Sequence, residues 1–123
     1  MEPTTIKIDN VEYIRKDSIK SFNPADELDG MKYVIVRTYS AGVFAGYLEK
    51  KDGQNVILKN ARRLWYWSGA STLSQLAMEG VKNPDDCKFP REVDTIELDQ
   101  VIEVIDATRE AKDSIASVSI WKQ

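Results

Sequence analysis

Met31-Lys32-Tyr33-Val34-Ile35-Val36-Arg37-Thr38-Tyr39, followed by Ser40-Ala41-Gly42, Val43 to Lys50 and Asp52-Gly53, is the stretch that decides the fold. Valine, isoleucine and tyrosine dominate Met31 to Tyr39, and such β-branched and aromatic side chains suit a pleated, packed surface. Ser40-Ala41-Gly42 reads as a turn, Val43 to Lys50 as the returning strand, and Asp52-Gly53 as a two-residue hairpin signal. Gln54 to Trp67 keeps strand character, so an antiparallel meander is the natural topology. Towards the N-terminus, Ile6 to Ile14 alternate around Asp9-Asn10 as a short hairpin does, and Phe22-Asn23-Pro24-Ala25-Asp26-Glu27-Leu28-Asp29-Gly30 reads as an acidic loop. Towards the C-terminus, the spacing predicts a helix over Thr72 to Glu79, with Thr72 and Gln75 fitting a capping box and Gly80 the stop. A long connection through Lys82-Asn83-Pro84-Asp85-Asp86 and Phe89-Pro90 leads to Val93 to Leu98 and Val101 to Ile105, separated by Asp99-Gln100. The second of these runs fits both the strand and the helix period. Thr108 to Ser117 is a helix capped by Thr108, and Val118-Ser119-Ile120-Trp121 closes the pattern. Together these features predict an α+β fold, an antiparallel β-sheet meander with two short helices, in a single domain spanning residues 1–123.

The chain has 123 residues, 42% hydrophobic and 30% charged, which is enough for a hydrophobic core without covalent staples. It contains no histidine. That removes Ser-His-Asp and Cys-His catalysis, most zinc sites and the commonest general base near neutral pH. Cys87 is the single cysteine, so an intramolecular disulfide framework is excluded and a reducing setting is the simpler reading. Lys88 beside it can lower a thiol pKa, but with no histidine to act as base Cys87 reads as incidental. Asp85-Asp86 reads as a solvated loop, and no carboxylate pair stands at acid/base spacing. No metal, cofactor or catalytic residue is expected. A net charge of −3 disfavours wrapping a nucleic-acid polymer, whereas a small anionic ligand needs only a few local cations. The sequence carries no signal segment and no apolar run of about 18 residues, so a cytoplasmic protein without membrane contact is expected.

Ala61-Arg62-Arg63-Leu64-Trp65-Tyr66-Trp67-Ser68-Gly69-Ala70 concentrates guanidinium groups and large aromatic rings within ten residues of this acidic chain. That is a nucleotide-recognition vocabulary. Aromatic faces stack on purines, arginine forks match phosphate oxygens, and the small residues lead into a helix start with free N–H donors. Period-two spacing puts Arg63, Trp65 and Trp67 on one face of their strand and Arg62, Leu64 and Tyr66 on the other. Each of Trp65, Tyr66 and Trp67 reads either as packing or as a ligand platform. At most one of the two arginines points inward, and there it needs partners. Tyr33, Ile35, Arg37 and Tyr39 share a face opposite Val34, Val36 and Thr38, and the mixed end at Arg37 and Tyr39 beside a glycine turn suggests a pocket rim. Arg109 falls in the first turn of its helix, where the macrodipole disfavours a cation. It is either held by Asp106 or Asp113 or aimed at a ligand phosphate.

Val36 to Tyr47, Ala61 to Ser71 and Ala107 to Ile115, as they stand here, resemble the first family of phage Thoeris anti-defence proteins, and the resemblance runs from about Met31 to Trp121. It implies a sponge that binds and sequesters the glyco-cyclic ADP-ribose isomer made by bacterial TIR-domain enzymes without cleaving it. It also implies an α+β fold in a dimer that assembles to a hexamer, with the signal bound where subunits meet, in the cytoplasm of the infected bacterial host. On the matching segments the resemblance makes Arg37, Thr38, Tyr39, Ser40, Ala41, Gly42, Val43 and Phe44 the loop that closes on the ligand. Arg109 becomes a purine-stacking or phosphate-contacting residue, and Trp67, Ser68, Gly69, Ala70 and Ser71 match the second motif, either lining the pocket, where Trp67 and Ser68 bind the ligand, or building the dimer seam. Some members also capture the cyclic di- or trinucleotides of CBASS systems at a separate site, for which Arg62 and Arg63 are the candidates here. Two other classes stay open on the residues alone: a hydrolase that degrades the signal, and an interaction module that docks on a host defence protein through its aromatic strand.

Overall fold

The computed structural model describes residues 6–7, 11–12 and 23–122. Short strands β1 (Ile6–Lys7) and β2 (Val11–Glu12) pair antiparallel as a separate ribbon, with Ile6 opposite Glu12. The intervening Asp9-Asn10, the rest of the expected hairpin and Phe22 lie outside the described residues. The main sheet holds β3 (Tyr33–Thr38), β4 (Val43–Asp52), β5 (Asn55–Arg63), β6 (Val93–Leu98) and β7 (Val101–Asp106). All its pairings are antiparallel, in the order β6-β5-β4-β3-β7. The helices are α1 (Leu73–Glu79) and α2 (Arg109–Ser117), with a 3-10 turn at Pro84–Asp86. The α+β class therefore holds, and Val101 to Ile105 is a strand, not a helix.

The meander holds for β3, β4 and β5. Their first turn follows Ser40-Ala41-Gly42, and in the second Gly53 and Gln54 lie between the paired Asp52 and Asn55, one residue later than the Asp52-Gly53 signal. β7 departs from the meander. Only Asp99 and Gln100 separate it from β6, yet the two strands lie on opposite edges of the sheet. Three peptide units reach at most about 11 Å, whereas the edges of a flat five-stranded sheet stand about 19 Å apart. The sheet must therefore curl until its edges meet at one end. Backbone bonds across that end show it: Val101 N–H donates to the Gln54 carbonyl at 3.0 Å and Tyr39 N–H to the Gln100 carbonyl at 2.9 Å.

Curling divides the core in two. Val34, Val36, Phe44, Val56, Leu58, Leu98 and Val101 pack inside the curl, with residues of both edge strands in contact. Tyr33, Ile35, Ala45 and Leu64 face outward, where Leu76, Phe89, Ala111 and Ile115 cover them. β3 is thus buried on both faces, which explains its unbroken Val34-Ile35-Val36 run. Midway along β5, Asn60 takes φ +50 and makes a bulge opposite Gly46. A side chain at Gly46 would stand 3.1 Å from Ala61 Cα, so glycine lets the bulged strand approach. The bulge shifts the alternation by one residue, so Ala61 shares the inner face with Leu58 while Arg62 turns toward the helices.

The helix starts follow local chemistry. Thr72 accepts from Gln75 N–H at 3.1 Å, and the Gln75 side chain accepts from Ser71 N–H at 3.0 Å, one residue before the capping-box position. The hydroxyl of buried Thr108 accepts from Ala111 N–H at 3.0 Å and donates to the Met78 carbonyl at 2.6 Å, joining the start of α2 to the end of α1. Thr108→Ala is expected to lower stability by about 1–2 kcal/mol in urea unfolding while Thr108→Ser keeps most of it; equal stability of parent and alanine variant would contradict the cap.

Candidate functional site

β5 ends where its partner runs out. β4 begins at Val43, whose carbonyl still accepts from Leu64 N–H at 2.8 Å, and beyond Leu64 only Tyr66 pairs again, with Lys88. The strand expected through Trp67 therefore stops at Arg63, and the side chains past Leu64 leave its alternation. Arg62 and Arg63 still point to opposite faces, with different fates.

Arg62 is 7% exposed. Nε donates to Pro90 O at 3.0 Å, Nη1 to Ile115 O at 2.8 Å, and Nη2 to Phe89 O at 3.1 Å and Val118 O at 2.8 Å. The Ile115 and Val118 carbonyls lie at the C-terminal end of α2, where helix carbonyls need outside donors and the macrodipole favours a cation. Burial lowers the guanidinium pKa, against the opposing pull of Tyr33 and Glu92. Arg62 is a clamp on backbone carbonyls. Of the pair grouped as a cyclic-oligonucleotide site, only Arg63 faces solvent, because four of the five N–H donors of Arg62 are already engaged.

Arg63 closes the β3–β4 turn. Its guanidinium lies 4.4 Å from the centre of the Phe44 ring, and Nη1 donates to Ala41 O at 2.6 Å. The Thr38 hydroxyl donates to Gly42 O at 2.9 Å and accepts from Ala41 N–H at 2.8 Å. Gly42 takes φ +103, which favours glycine there. The expected loop Arg37, Thr38, Tyr39, Ser40, Ala41, Gly42, Val43 and Phe44 is thus a fixed turn with divided duties. Phe44 and Thr38 are buried and shape it, Val43 is half-buried, and Ser40, Ala41 and Gly42 are exposed. Tyr39 stands 76% exposed at its tip. Arg37 is exposed and pairs with Glu103 across to β7 at 2.8 Å, a surface bond of about 0–1 kcal/mol that a stronger anion can displace.

Arg109 lies elsewhere. Its backbone N–H donates to Asn23 O at 2.9 Å, and its Nη2 pairs with exposed Asp26 at 2.9 Å. Neither Asp106 nor Asp113 holds it; Asp106 pairs with Lys32. Ala107 N–H bonds to the carbonyl of Tyr33. The start of α2 therefore sits at the Tyr33 end of β3, whereas the turn leaves from Thr38, five residues or about 16 Å along the strand. Within the chain the structure does not bring Arg109 to the Arg37–Phe44 turn.

The aromatic run divides as well. Trp67 is half-buried against the outer core, and the Ser68 hydroxyl accepts from Asn83 Nδ2 at 3.2 Å. Trp65 stacks on Trp121, with ring centres 5.0 Å apart and planes 11° from parallel. Lys88 Nζ lies within 6 Å of the Trp65, Tyr66 and Trp121 ring centres. Trp65 and Tyr66 remain more than half exposed, so these rings and Lys88 form a cationic aromatic platform. Sequence reasoning missed Lys88 and Trp121 as parts of it, since no local spacing links them to Trp65. Cys87 is buried, which raises its pKa above the ordinary thiol value, against a lowering bond from the Ser68 backbone, so it is an unreactive thiol.

Among the described residues, no helix is long and apolar enough to cross a membrane. No curated protein and no solved structure matches the chain. One family does match, over residues 31–115, from two residues before β3 to the last buried residue of α2. The chain belongs to the DUF6948 family, a domain of unknown function.

Proposed function

We propose that this protein is a sponge: it binds a cyclic ADP-ribose-type immune signal of TIR enzymes and holds it intact, in the cytoplasm of a phage-infected bacterium. The observation that carries the reading is the β3–β4 turn. Arg63 and Thr38 fix it from within, it presents Tyr39 at its exposed tip, and it stands beside the displaceable Arg37–Glu103 pair. A preset turn loses little entropy on binding, an exposed ring stacks on a purine, and an arginine fork receives phosphate oxygens. The resemblance of the same segment to phage Thoeris anti-defence proteins points to the signal.

A competent sponge needs nanomolar affinity, about −12 kcal/mol. One base stack supplies about 1–3 kcal/mol and each charged hydrogen bond about 1.5–3 kcal/mol. A single turn falls short of this. The distance between the turn and Arg109 within a protomer fits a site completed by a second copy, one contributing the turn and the other Arg109. A dimer, with dimers assembling to a hexamer, is the corresponding assembly, and Arg63 is the residue of the original pair available to a cyclic di- or trinucleotide.

In isothermal titration with glyco-cyclic ADP-ribose, Arg109→Ala is expected to abolish binding while light scattering shows an unchanged oligomer. An unchanged dissociation constant would remove Arg109 from the site. The platform of Trp65, Tyr66, Trp121 and Lys88 favours a second reading, docking on a host defence protein, because exposed tryptophan and tyrosine are frequent anchors of interfaces. That reading expects isolated protein to retain no signal.

A further inference from the structure

The Tyr33 end of β3, remote from the Arg37–Phe44 turn, borders a cleft of about 570 Å³ between the sheet and α2, within the volume range of small-molecule sites. Tyr33 lines it and is only 7% exposed, yet among the described residues its hydroxyl has no hydrogen-bond partner. A buried hydroxyl left unpaired is costly and calls for a partner. Burial chiefly, then Glu92 and Tyr47, hold the phenol well above its ordinary pKa against Arg62, so it stays a neutral donor at physiological pH. Tyr47 packs edge-on to Tyr33 at 5.1 Å, and Lys112 Nζ lies 5.5 Å from the Tyr33 ring centre.

Charge on the lining names the complementary group. Arg62, Arg91 and Lys112 outnumber Glu92 and Asp94 there, although the whole chain carries −3. Arg62 is engaged with carbonyls, but neither Arg91 nor Lys112 is in an ion pair among the described residues. We propose that this cleft binds a small phosphate ester, of sugar-phosphate to mononucleotide size, at a site separate from the turn. The three terminal oxygens and the charge of up to about −2 of a phosphate monoester offer more acceptor sites to the Tyr33 hydroxyl, the Arg91 fork and the Lys112 ammonium than the two oxygens of a singly charged carboxylate. Ile115 and Val118 offer an apolar wall to the organic part.

The test is isothermal titration of the full chain with ribose 5-phosphate and with AMP, in parent, Tyr33→Phe, Lys112→Gln and Arg37→Ala proteins. At least one probe is expected to saturate one site per protomer, with affinity weakened about tenfold or more by Tyr33→Phe and by Lys112→Gln, and unchanged by Arg37→Ala. Thermal unfolding separates binding from packing. Tyr33→Phe removes a hydroxyl that has no partner among the described residues, so its ligand-free midpoint is expected at or above that of the parent. The proposal is overturned if neither probe shows saturable binding up to about 1 mM, if Tyr33→Phe or Lys112→Gln leaves affinity unchanged, if Arg37→Ala weakens it as much, or if Tyr33→Phe lowers the ligand-free midpoint.

Discussion

Arg62→Met is expected to destabilise the protein by about 3–5 kcal/mol, because it keeps the apolar stem and removes the guanidinium donors from the carbonyls of Phe89, Pro90, Ile115 and Val118, of which Phe89 and Ile115 keep a backbone donor in Trp121 and Val118 N–H. Two of those carbonyls end α2 and two belong to the connection that covers the outer core, so one side chain ties the last helix to the segment before β6. At about 2.1 cal/mol/K of unfolding entropy per residue, the loss corresponds to about 12–19 °C in the thermal midpoint. Arg62→Lys recovers only part of this, since one ammonium cannot span carbonyls on both sides of a planar fork. Circular dichroism melts check it. A loss below about 1 kcal/mol for Arg62→Met would show that the carbonyls find water instead.

Gly69→Ala is the second large effect. Gly69 takes φ +94, and a Cβ there would stand within 2.7 Å of Asn83 N and closer still to Lys82 N. Both neighbours are backbone, so no side chain can swing away. Strain at a positive φ and forced separation of two backbone segments together cost about 3–4 kcal/mol. The damage falls where Ser68 meets Asn83, just ahead of α1, and loosens the motif that contains Trp67. Gly53→Ala is the control. Gly53 also has a positive φ, +60, but nothing lies within 4 Å of the added carbon, and a cost of about 1 kcal/mol is expected. Urea midpoints of the two variants compare them, and equal losses would mean that crowding at Lys82 and Asn83 contributes nothing.

Legibility followed the range of the interaction. Thr72 and Thr108 were readable as helix caps, and Ser40-Ala41-Gly42 as a turn, because each bond closes within three or four residues. Arg62 was readable as an alternative: one arginine of the pair could point inward if partners existed, and its partners are backbone carbonyls, which a sequence does not advertise. β7 was misplaced by topology. Local pattern gave its strand character, but its pairing with β3 depends on the curl of the whole sheet. Helical spacing offers Asp106 and Asp113 to Arg109, yet its partner is Asp26, 83 residues away. The stacking of Trp65 on Trp121 escaped for the same reason. In the candidate site, the turn residues were legible as a group, whereas the division between those that shape it, Thr38, Phe44 and Arg63, and those that face outward, Arg37 and Tyr39, required the tertiary structure.

Sequestration stands or falls on whether the protein retains the signal intact. Purified protein is mixed with glyco-cyclic ADP-ribose, freed of unbound ligand, heated to denature it, and the released material is identified by chromatography and mass. Unaltered signal is expected to be recovered in stoichiometric amount. Recovery of a converted product, or of nothing, would contradict sequestration.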